Sequence, residues 1–364
     1  MPSATHILPN HQTAIVAEGP GQLRVRHDAP VPALEPGVAL VKTAAVAINP
    51  VDAKMVDYSP VPGAIHGYDF AGTVVALGAG TTHIQIGDRV AGFVHGMSKT
   101  RPDIGAFAEY VSSPANLLLR LPADMAFEDA ASLGLGLFTA GLGLFRELQV
   151  PASIDPVNPG PEDHSRADFV LVAGGSTATG TRAIRLLKLA GLRPIATCSK
   201  RNFDLVRRFG AEKVFDYSNP DCASEIRAFT GNTLAYALDC IAAAETTQLC
   251  YGAIGRAGGR YVTVEPYRET VVSQRPLTIQ PSWLLAVTIF GRKVEMDGEY
   301  ARDVRPEDQQ FAVKFTAQVQ ALLDQGKLDP HPVKVMAGGW EGVIEGVDII
   351  RKQAMSGQKL VYPV

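Results

Sequence analysis

Two glycines that follow a run of strand-forming residues are the first feature of this sequence that could bind a ligand. The segment FVLVAGGSTATG, residues 169 to 180, passes from Phe, Val and Leu into Gly174 and Gly175 and then into a predicted helix. Glycines at the end of a parallel strand let backbone N–H groups approach a pyrophosphate at a helix N-terminus, and Ser176 and Thr177 add two hydroxyls. The segment predicts a dinucleotide site. However, its spacing is not a clean G-x-G-x-x-G, and similar turns occur in α/β domains that bind no nucleotide.

The strand after this helix, PIATCS, predicts which dinucleotide is bound. In an NAD enzyme, an Asp or Glu at its end would bind the ribose 2′-hydroxyl and repel a 2′-phosphate. Here the strand ends at Cys198 and is followed by Ser199, Lys200 and Arg201. A hydroxyl followed by two cations favours the 2′-phosphate of NADPH, because Lys and Arg pair with phosphate oxygens. A solvated charged loop is the alternative.

Composition limits the class of protein. The chain has 364 residues, 46% hydrophobic and 20% charged, which predicts a globular protein of two domains. A net charge of −3 argues against nucleic acid as the main partner. The first residues lack the pattern of a secretory signal, and no apolar stretch approaches the length of a membrane span. The four cysteines show no C-x-x-C spacing, which indicates neither a zinc ribbon nor a disulfide framework. We expect a cytoplasmic enzyme.

The elements that would position these residues change along the chain. Short strands punctuated by Gly and Pro run from Thr13 to about Arg120 and predict a barrel-like β domain. Residues 127 to 148 then show helical periodicity, with acidic residues early and Arg146 near the end, which predicts one glycine-rich helix. A proline-rich stretch precedes the α/β unit, and a terminal strand, KLVYPV, is expected to rejoin the N-terminal sheet.

This order resembles the medium-chain dehydrogenase/reductase superfamily over nearly the whole chain. Three segments are similar to its quinone-reductase-like branch: N-P-V-D-A-K at 49–54, G-Y-D-F-A-G-T-V-V at 67–75 and G-D-R-V at 87–90. The glycines and Asp88 also suit ordinary turns. The resemblance implies an α/β fold that joins a GroES-like β-barrel catalytic domain to a Rossmann-type doubly wound parallel sheet.

The implied domain boundaries make the catalytic domain discontinuous. It would comprise residues 1–132 and 298–364. The NADPH-binding domain would comprise residues 133–297 and include the proline-rich linker 150–166.

Departures from the zinc alcohol dehydrogenases of that superfamily are informative. Where those enzymes carry a catalytic Cys and a G-H-E, this chain has Ala47-Ile48-Asn49 and Gly67-Tyr68-Asp69. His66 alone cannot supply the three protein ligands of a catalytic zinc, so we expect no metal site. Without a Lewis acid, reduction of a C=C conjugated to a carbonyl fits better than carbonyl reduction, because the enolate needs only hydrogen-bond donors and a proton.

Within the zinc-free branch, the chain resembles the stand-alone, trans-acting enoyl reductases of fungal polyketide synthases and polyketide/peptide hybrid synthetases. This implies NADPH-dependent reduction of a carrier-bound enoyl thioester, a synthase partner and a monomeric enzyme. The resemblance is carried by GGSTAT at 174–179, ATCSKRNFDLVRRFGAEKVFDY at 196–217, YALDC at 236–240, AIGRAGG at 253–259, TIFG at 288–291 and SGQKLV at 356–361.

The resemblance also implies site residues. The implied cofactor-binding set comprises Pro50, Val51, Asp52, Ala53, Gly174, Gly175, Ser176, Thr177, Thr197, Cys198, Ser199, Lys200, Tyr217, Val262, Thr263, Thr288, Ile289, Leu360 and Val361. The implied substrate set comprises Leu137, Phe138, Thr139, Ala140, Gly141, Leu142, Gly143, Leu144, Trp283, Leu284 and Leu285.

Lys54 and Thr139 are the catalytic candidates. Lys54 could donate a hydrogen bond to the thioester or enolate oxygen or relay a proton; a surface lysine paired with Asp52 or Asp57 is the alternative. Thr139 could bind the nicotinamide carboxamide or the substrate carbonyl, or only its own i−4 carbonyl. The glycines around Thr139 suit either close helix packing or room for an acyl chain.

Two other functions stay open at this point. A quinone or enone oxidoreductase that acts on free small molecules would use the same fold. A non-catalytic NADPH-binding protein would bind the cofactor and oxidise it with no acceptor.

Overall fold

The computed structural model of the protein describes residues 8–154, 168–352 and 355–364. The chain forms two units. The first consists of Met1–Leu135, Val287–Thr316 and Pro330–Val364, and the second of Gly136–Ala286 and Ala317–Asp329. Most of the predicted proline-rich linker 150–166 lies outside the described residues.

The strands in chain order are β1 (His11–Gly19), β2 (Gln22–Pro30), β3 (Val38–Ala47), β4 (Asp69–Leu77), β5 (Arg89–Phe93), β6 (Tyr110–Pro114), β7 (Leu119–Arg120), β8 (Phe169–Ala173), β9 (Arg193–Cys198), β10 (Lys213–Asp216), β11 (Tyr236–Asp239), β12 (Gly259–Thr263), β13 (Ile279–Trp283), β14 (Val333–Val335) and β15 (Lys359–Pro363).

The α-helices are α1 (Pro50–Tyr58), α2 (Phe127–Ala130), α3 (Gly134–Gly141), α4 (Ala178–Leu189), α5 (Phe203–Arg208), α6 (Cys222–Phe229), α7 (Ala244–Ala253), α8 (Glu269–Val272), α9 (Pro306–Asp324) and α10 (Gly339–Arg351). Short 3₁₀ turns occur at Ala115–Leu117, Lys200–Asn202, Ala286–Phe290 and Gly298–Tyr300. None of the helices in the described part of the chain is long and apolar enough to cross a membrane.

The first unit is built around β3, which pairs antiparallel with β4, β6 and β15. Its sheet has the order β14-β15-β3-β4-β5-β7, and β1 and β2 form a separate hairpin. Val41 and Val46 of β3 are buried in one core with Phe70, Phe107 and Leu360. The expected return of the terminal strand to this sheet is confirmed, because β15 continues it beside β3.

The second unit is a parallel sheet of order β10-β9-β8-β11-β12-β13. The chain runs outward from β8 to one edge and then resumes at β11 on the other side, which is the doubly wound order. Helix α4 connects β8 to β9 and buries Ile184, Leu186 and Leu187. The carboxyl ends of β8 and β11 therefore form the switch point where such sheets bind ligands.

The prediction of one continuous helix over 127–148 is wrong. The chain forms α2, turns at 131–133, forms α3 and ends in a π-helical segment, Leu142–Glu147. The break has a tertiary cause, because the carboxylate of Asp69 on β4 accepts a hydrogen bond from the backbone N–H of Leu135 at 2.6 Å and binds the first turn of α3. The predicted strand LLLRLP is also shorter than expected, since only Leu119–Arg120 pairs.

Candidate active site

The glycine turn after β8 has the geometry of a phosphate cradle. Gly174 has φ +77°, in the left-handed region that favours glycine. Thr177 is the N-cap of α4: its Oγ1 accepts from Gly180 N at 2.9 Å and donates to the Gly174 carbonyl at 2.8 Å. The turn thus points the N-terminus of a twelve-residue helix at the switch point of the sheet.

Close approach of backbones also requires glycine in this turn. A Cβ added at Gly180 would lie 2.3 Å from the Gly174 carbonyl oxygen. One added at Gly175 would lie 2.8 Å from the Cβ of Ala196 on β9. Because glycine has no Cβ, the turn and the helix can pack this close to the strands, as dinucleotide-binding turns do.

The end of β9 lies beside this cradle. Asn202 Nδ2 donates to Ser176 Oγ at 3.1 Å and to Ser199 Oγ at 3.2 Å, and so links the turn to the predicted 2′-phosphate loop. The Lys200 side chain is 81% exposed, and its Nζ lies 3.7 Å from an Asp216 oxygen at the end of β10. Sequence reasoning missed both Asn202 and Asp216. Thr197 and Cys198 are buried, whereas Tyr217 is exposed and its ring is accessible to a ligand.

Thr263 at the end of β12 has a buried side-chain hydroxyl. The residue is fully buried, and its Oγ1 has no hydrogen-bond partner among the described residues. Its carbonyl accepts from Leu284 N at 3.1 Å, which places the substrate candidates Trp283 to Leu285 next to β12. An unpartnered buried hydroxyl at the ligand-binding edge of the sheet, together with the glycine cradle, fits a bound dinucleotide.

Two glycines of the α3 region, Gly134 and Gly143, allow close packing. A Cβ at Gly134 would lie 2.4 Å from Asp69 Oδ1, and one at Gly143 would lie 2.9 Å from Leu238 Cδ1. Thr139 on α3 is only 8% exposed. The other substrate candidates of this region, Leu137, Phe138, Ala140, Leu142 and Leu144, are buried as well.

A buried polar cluster of three residues, Asn49, Asp69 and Lys359, lies in the first unit. Lys359 Nζ donates to the Asp69 carboxylate and, at 2.7 Å, to Asn49 Oδ1. Asn49 Nδ2 donates to the same carboxylate at 3.0 Å. All three residues are less than 9% exposed. A lysine ammonium therefore neutralises Asp69 and connects the start of α1 to β4 and β15.

Asp52 and His66 form a second buried pair next to this cluster. Asp52 Oδ2 accepts from Asn49 N at 2.7 Å and so caps α1, while His66 Nε2 donates to the Asp52 carbonyl at 2.9 Å. Burial, with a smaller contribution from Asp69, raises the pKa of Asp52 to about 8. Burial lowers the pKa of His66 to about 4, so this imidazole is neutral. The Asp52 side chain thus stabilises α1.

Lys54 lies two residues after Asp52 on α1 and is half-buried. Its Nζ donates to the hydroxyl of Tyr300 at 2.6 Å. The two carboxylates considered as alternative partners have other roles: Asp52 caps the helix, and Asp57 pairs with Arg351 at 2.9 Å. Tyr300 was not expected from the sequence, because it lies far away along the chain.

Most of the remaining cofactor candidates of the first unit form hydrogen bonds within that unit or are buried in it. Thr288 Oγ1 donates to Asp308 at 2.7 Å. The Leu360 carbonyl accepts from Ile48 N at 3.0 Å and the Val361 carbonyl from Met336 N at 2.8 Å. Pro50, Val51 and Ala53 lie in the first turn of α1, and Ile289 is fully buried.

The acidic, histidine and cysteine residues described by the structure form no group of three or more that could hold a metal ion.

Comparison with known proteins agrees with this architecture. The model of the alcohol dehydrogenase GroES-like domain matches residues 35–123, and that of the zinc-binding dehydrogenase matches residues 178–304. A crystal structure of a putative zinc-dependent alcohol dehydrogenase protein from Rhizobium etli CFN 42 has a TM-score of 0.77 at 23% identity and covers 97% of this chain and 98% of its own. This likeness confirms the predicted fold class.

Sequence relatives define the family more narrowly. The chain is 71% identical to the trans-enoyl reductase caaB of Aspergillus niger over 367 residues, covering 100% of both chains. It is also 71% identical to the trans-enoyl reductase traG of Penicillium crustosum over 366 residues, again covering 100% of both. The chain belongs to the trans-enoyl reductase family of the medium-chain dehydrogenase/reductase superfamily.

Proposed function

We propose that this protein reduces the α,β-unsaturated thioester of a carrier-bound polyketide intermediate with NADPH. The single observation that carries the proposal is the full-length identity with proteins named trans-enoyl reductases. The reaction adds a hydride to the β-carbon and a proton to the α-carbon, so the carbonyl is conserved and the C=C bond is saturated.

Bound NADPH would supply the hydride. The residues that would hold its diphosphate are Gly174 to Thr177, through backbone N–H groups and the N-terminus of α4. Ser199 and Lys200 would bind the 2′-phosphate, with Asn202 orienting Ser199 from the side of the cradle. Thr263 would hydrogen-bond the nicotinamide ribose, which would satisfy its buried hydroxyl.

Lys54 is assigned to the substrate. Its amine would donate a hydrogen bond to the thioester oxygen, on which negative charge grows as the hydride reaches the β-carbon. The buried cluster of Lys359, Asn49 and Asp69 supports this role by fixing the start of α1. Thr139 is assigned as a second donor to the substrate carbonyl or the nicotinamide carboxamide.

The partner we propose is a polyketide synthase or polyketide/peptide hybrid synthetase that presents the substrate on its acyl carrier domain. We also propose a cytoplasmic monomer. Pro281 supports the monomeric state, because it lies on β13, an edge strand of the parallel sheet, and has no N–H for pairing with a second sheet.

The test compares three acceptors by the loss of NADPH absorbance: an enoyl thioester on a pantetheine handle, a free enone with the same carbon skeleton, and a quinone. We expect the thioester to give the highest kcat/KM and NADH to be a much poorer donor. Preference for the quinone would contradict the proposal and indicate a small-molecule oxidoreductase. NADPH binding without turnover of any acceptor would indicate a non-catalytic binding protein.

A further inference from the structure

The segment 297–300 is hydrogen-bonded to the end of α1, the helix that carries Lys54. Ser59 Oγ, directly after α1, donates to Asp297 Oδ2 at 2.9 Å and accepts from Asp297 N at 3.2 Å. Lys99 Nζ donates to the other Asp297 oxygen at 2.9 Å. These bonds fix where the segment begins relative to the helix.

Ring packing fixes where the segment ends. The rings of Tyr58 and Tyr300 meet edge to face, with centroids 5.4 Å apart and an interplanar angle of 66°. Gly298 has φ +58°, and a Cβ at this position would lie 2.3 Å from the Tyr58 hydroxyl oxygen. Tyr300 itself is only 8% exposed. The segment therefore holds the Tyr300 ring in one place against α1.

The contact between Lys54 and Tyr300 is a hydrogen bond to the hydroxyl. Lys54 Nζ lies 2.6 Å from the Tyr300 hydroxyl oxygen but 5.0 Å from the ring centroid, so the amine lies beyond the hydroxyl and not against the ring face. An ammonium carries three N–H donors, so one bond to Tyr300 can orient the amine while another N–H reaches a substrate oxygen. A long, flexible lysine side chain gains a defined direction in this way.

We propose that Tyr300 is a positioning residue of the reductase, whose hydroxyl holds the Lys54 amine in place for its hydrogen bond to the enoyl thioester oxygen. This inference rests on the proposed role of Lys54. Tyr300 acts through Lys54, and the anchors at Ser59 and Asp297 serve to keep the hydroxyl in reach.

A double-mutant cycle tests this role. The variants are Tyr300→Phe, Lys54→Met and the double variant, measured for kcat with the pantetheine enoyl thioester and for KM with NADPH. Tyr300→Phe keeps the ring packing and removes only the hydroxyl, so we expect kcat to fall about tenfold, which corresponds to about 1.4 kcal/mol. KM for NADPH should stay at the wild-type value. The double variant should be no slower than Lys54→Met, because the two residues act as one unit.

Tyr58→Phe is the matched control, since it removes a hydroxyl from the partner ring of the same pair. It should retain wild-type kcat. An unchanged kcat in Tyr300→Phe would overturn the inference. So would a double variant that is slower than Lys54→Met by the full factor that Tyr300→Phe loses alone, because the two residues would then act independently. If Lys54→Met itself had wild-type kcat, the proposed role of Lys54 would fail and this inference with it. A slow Lys54→Met beside a normal Tyr300→Phe would reject the inference alone.

Discussion

Replacing Lys359 by Met should destabilise the first unit strongly. The substitution removes the ammonium that neutralises the buried Asp69 carboxylate and also donates to Asn49. Breaking a buried ion pair by removing one partner costs about 3–5 kcal/mol. Asp69 keeps two donors, Asn49 Nδ2 at 3.0 Å and Leu135 N at 2.6 Å, so we expect a loss near the lower limit, about 3 kcal/mol. That loss corresponds to a decrease in Tm of about 6–12 °C.

The assay is urea unfolding followed by tryptophan fluorescence, with Lys293→Met as the matched control. Lys293 pairs with Glu295 at 3.4 Å on the surface, where both side chains are more than 40% exposed, and such pairs contribute at most about 1 kcal/mol. Adding Asp69→Asn to Lys359→Met should restore part of the lost stability, because it removes the uncompensated charge. The reasoning is refuted if Lys359→Met unfolds at the same urea concentration as Lys293→Met.

Three further predictions follow from the site. Lys200→Glu should raise KM for NADPH at least about tenfold with little change in KM for NADH, because it places a carboxylate where the 2′-phosphate would bind; initial rates with both cofactors measure this. Thr263→Val should weaken NADPH binding about five- to tenfold, the value of one hydrogen bond, without lowering Tm; isothermal titration and thermal unfolding measure the two effects. Asp52→Asn should make the change of stability with pH more positive than in the wild-type between about pH 4 and pH 8; urea unfolding of both proteins over this pH range measures the two slopes.

The sign of the Asp52 effect follows from linkage. Its pKa is 3.8 in the unfolded chain and about 8 in the folded protein, so between these values only the folded state binds the proton. The contribution of Asp52 to stability then falls as the pH rises, by at most about 1.4 kcal/mol per pH unit. Equal slopes in the wild-type and in Asp52→Asn would contradict this. His66 contributes the opposite slope between about pH 4 and pH 6.5 in both proteins, because its folded-state pKa is lowered from 6.5 to about 4, so this contribution cancels when the two proteins are compared.

The matched control for Lys200→Glu is Lys213→Glu. Lys213→Glu makes the same charge change at an exposed position on the neighbouring β10 and should leave the NADPH preference intact. If Lys200→Glu lost affinity for NADPH and NADH by the same factor, Lys200 would not bind the 2′-phosphate. Unchanged NADPH affinity in Thr263→Val would mean that the cofactor does not use this hydroxyl.

Features that depend on neighbouring residues were predictable from the sequence. The apolar run of β8, the glycine turn and α4 lie together within residues 169–189, and local propensity specifies all three. Ser199 and Lys200 were expected at the end of β9 for the same reason, since strand and loop adjoin in the sequence.

Features that depend on distant residues were not predictable. Lys359 and Asp69 are 290 residues apart, and Lys54 and Tyr300 are 246 apart, so no local spacing indicated either pair. Asp69 also broke the predicted helix of residues 127–148, because its carboxylate binds Leu135 N from another element. Tertiary contacts of this kind override local helical propensity.

The most direct test of the central claim follows the hydride itself. The enzyme is incubated with NADPH carrying deuterium on the transferred C4 position and with an enoyl thioester on pantetheine, and the product is analysed by mass spectrometry. We predict a saturated thioester with one deuterium at the β-carbon and an intact carbonyl. Deuterium at the carbonyl carbon, or an unreduced thioester beside rapid reduction of a free quinone, would contradict the assignment as an enoyl reductase.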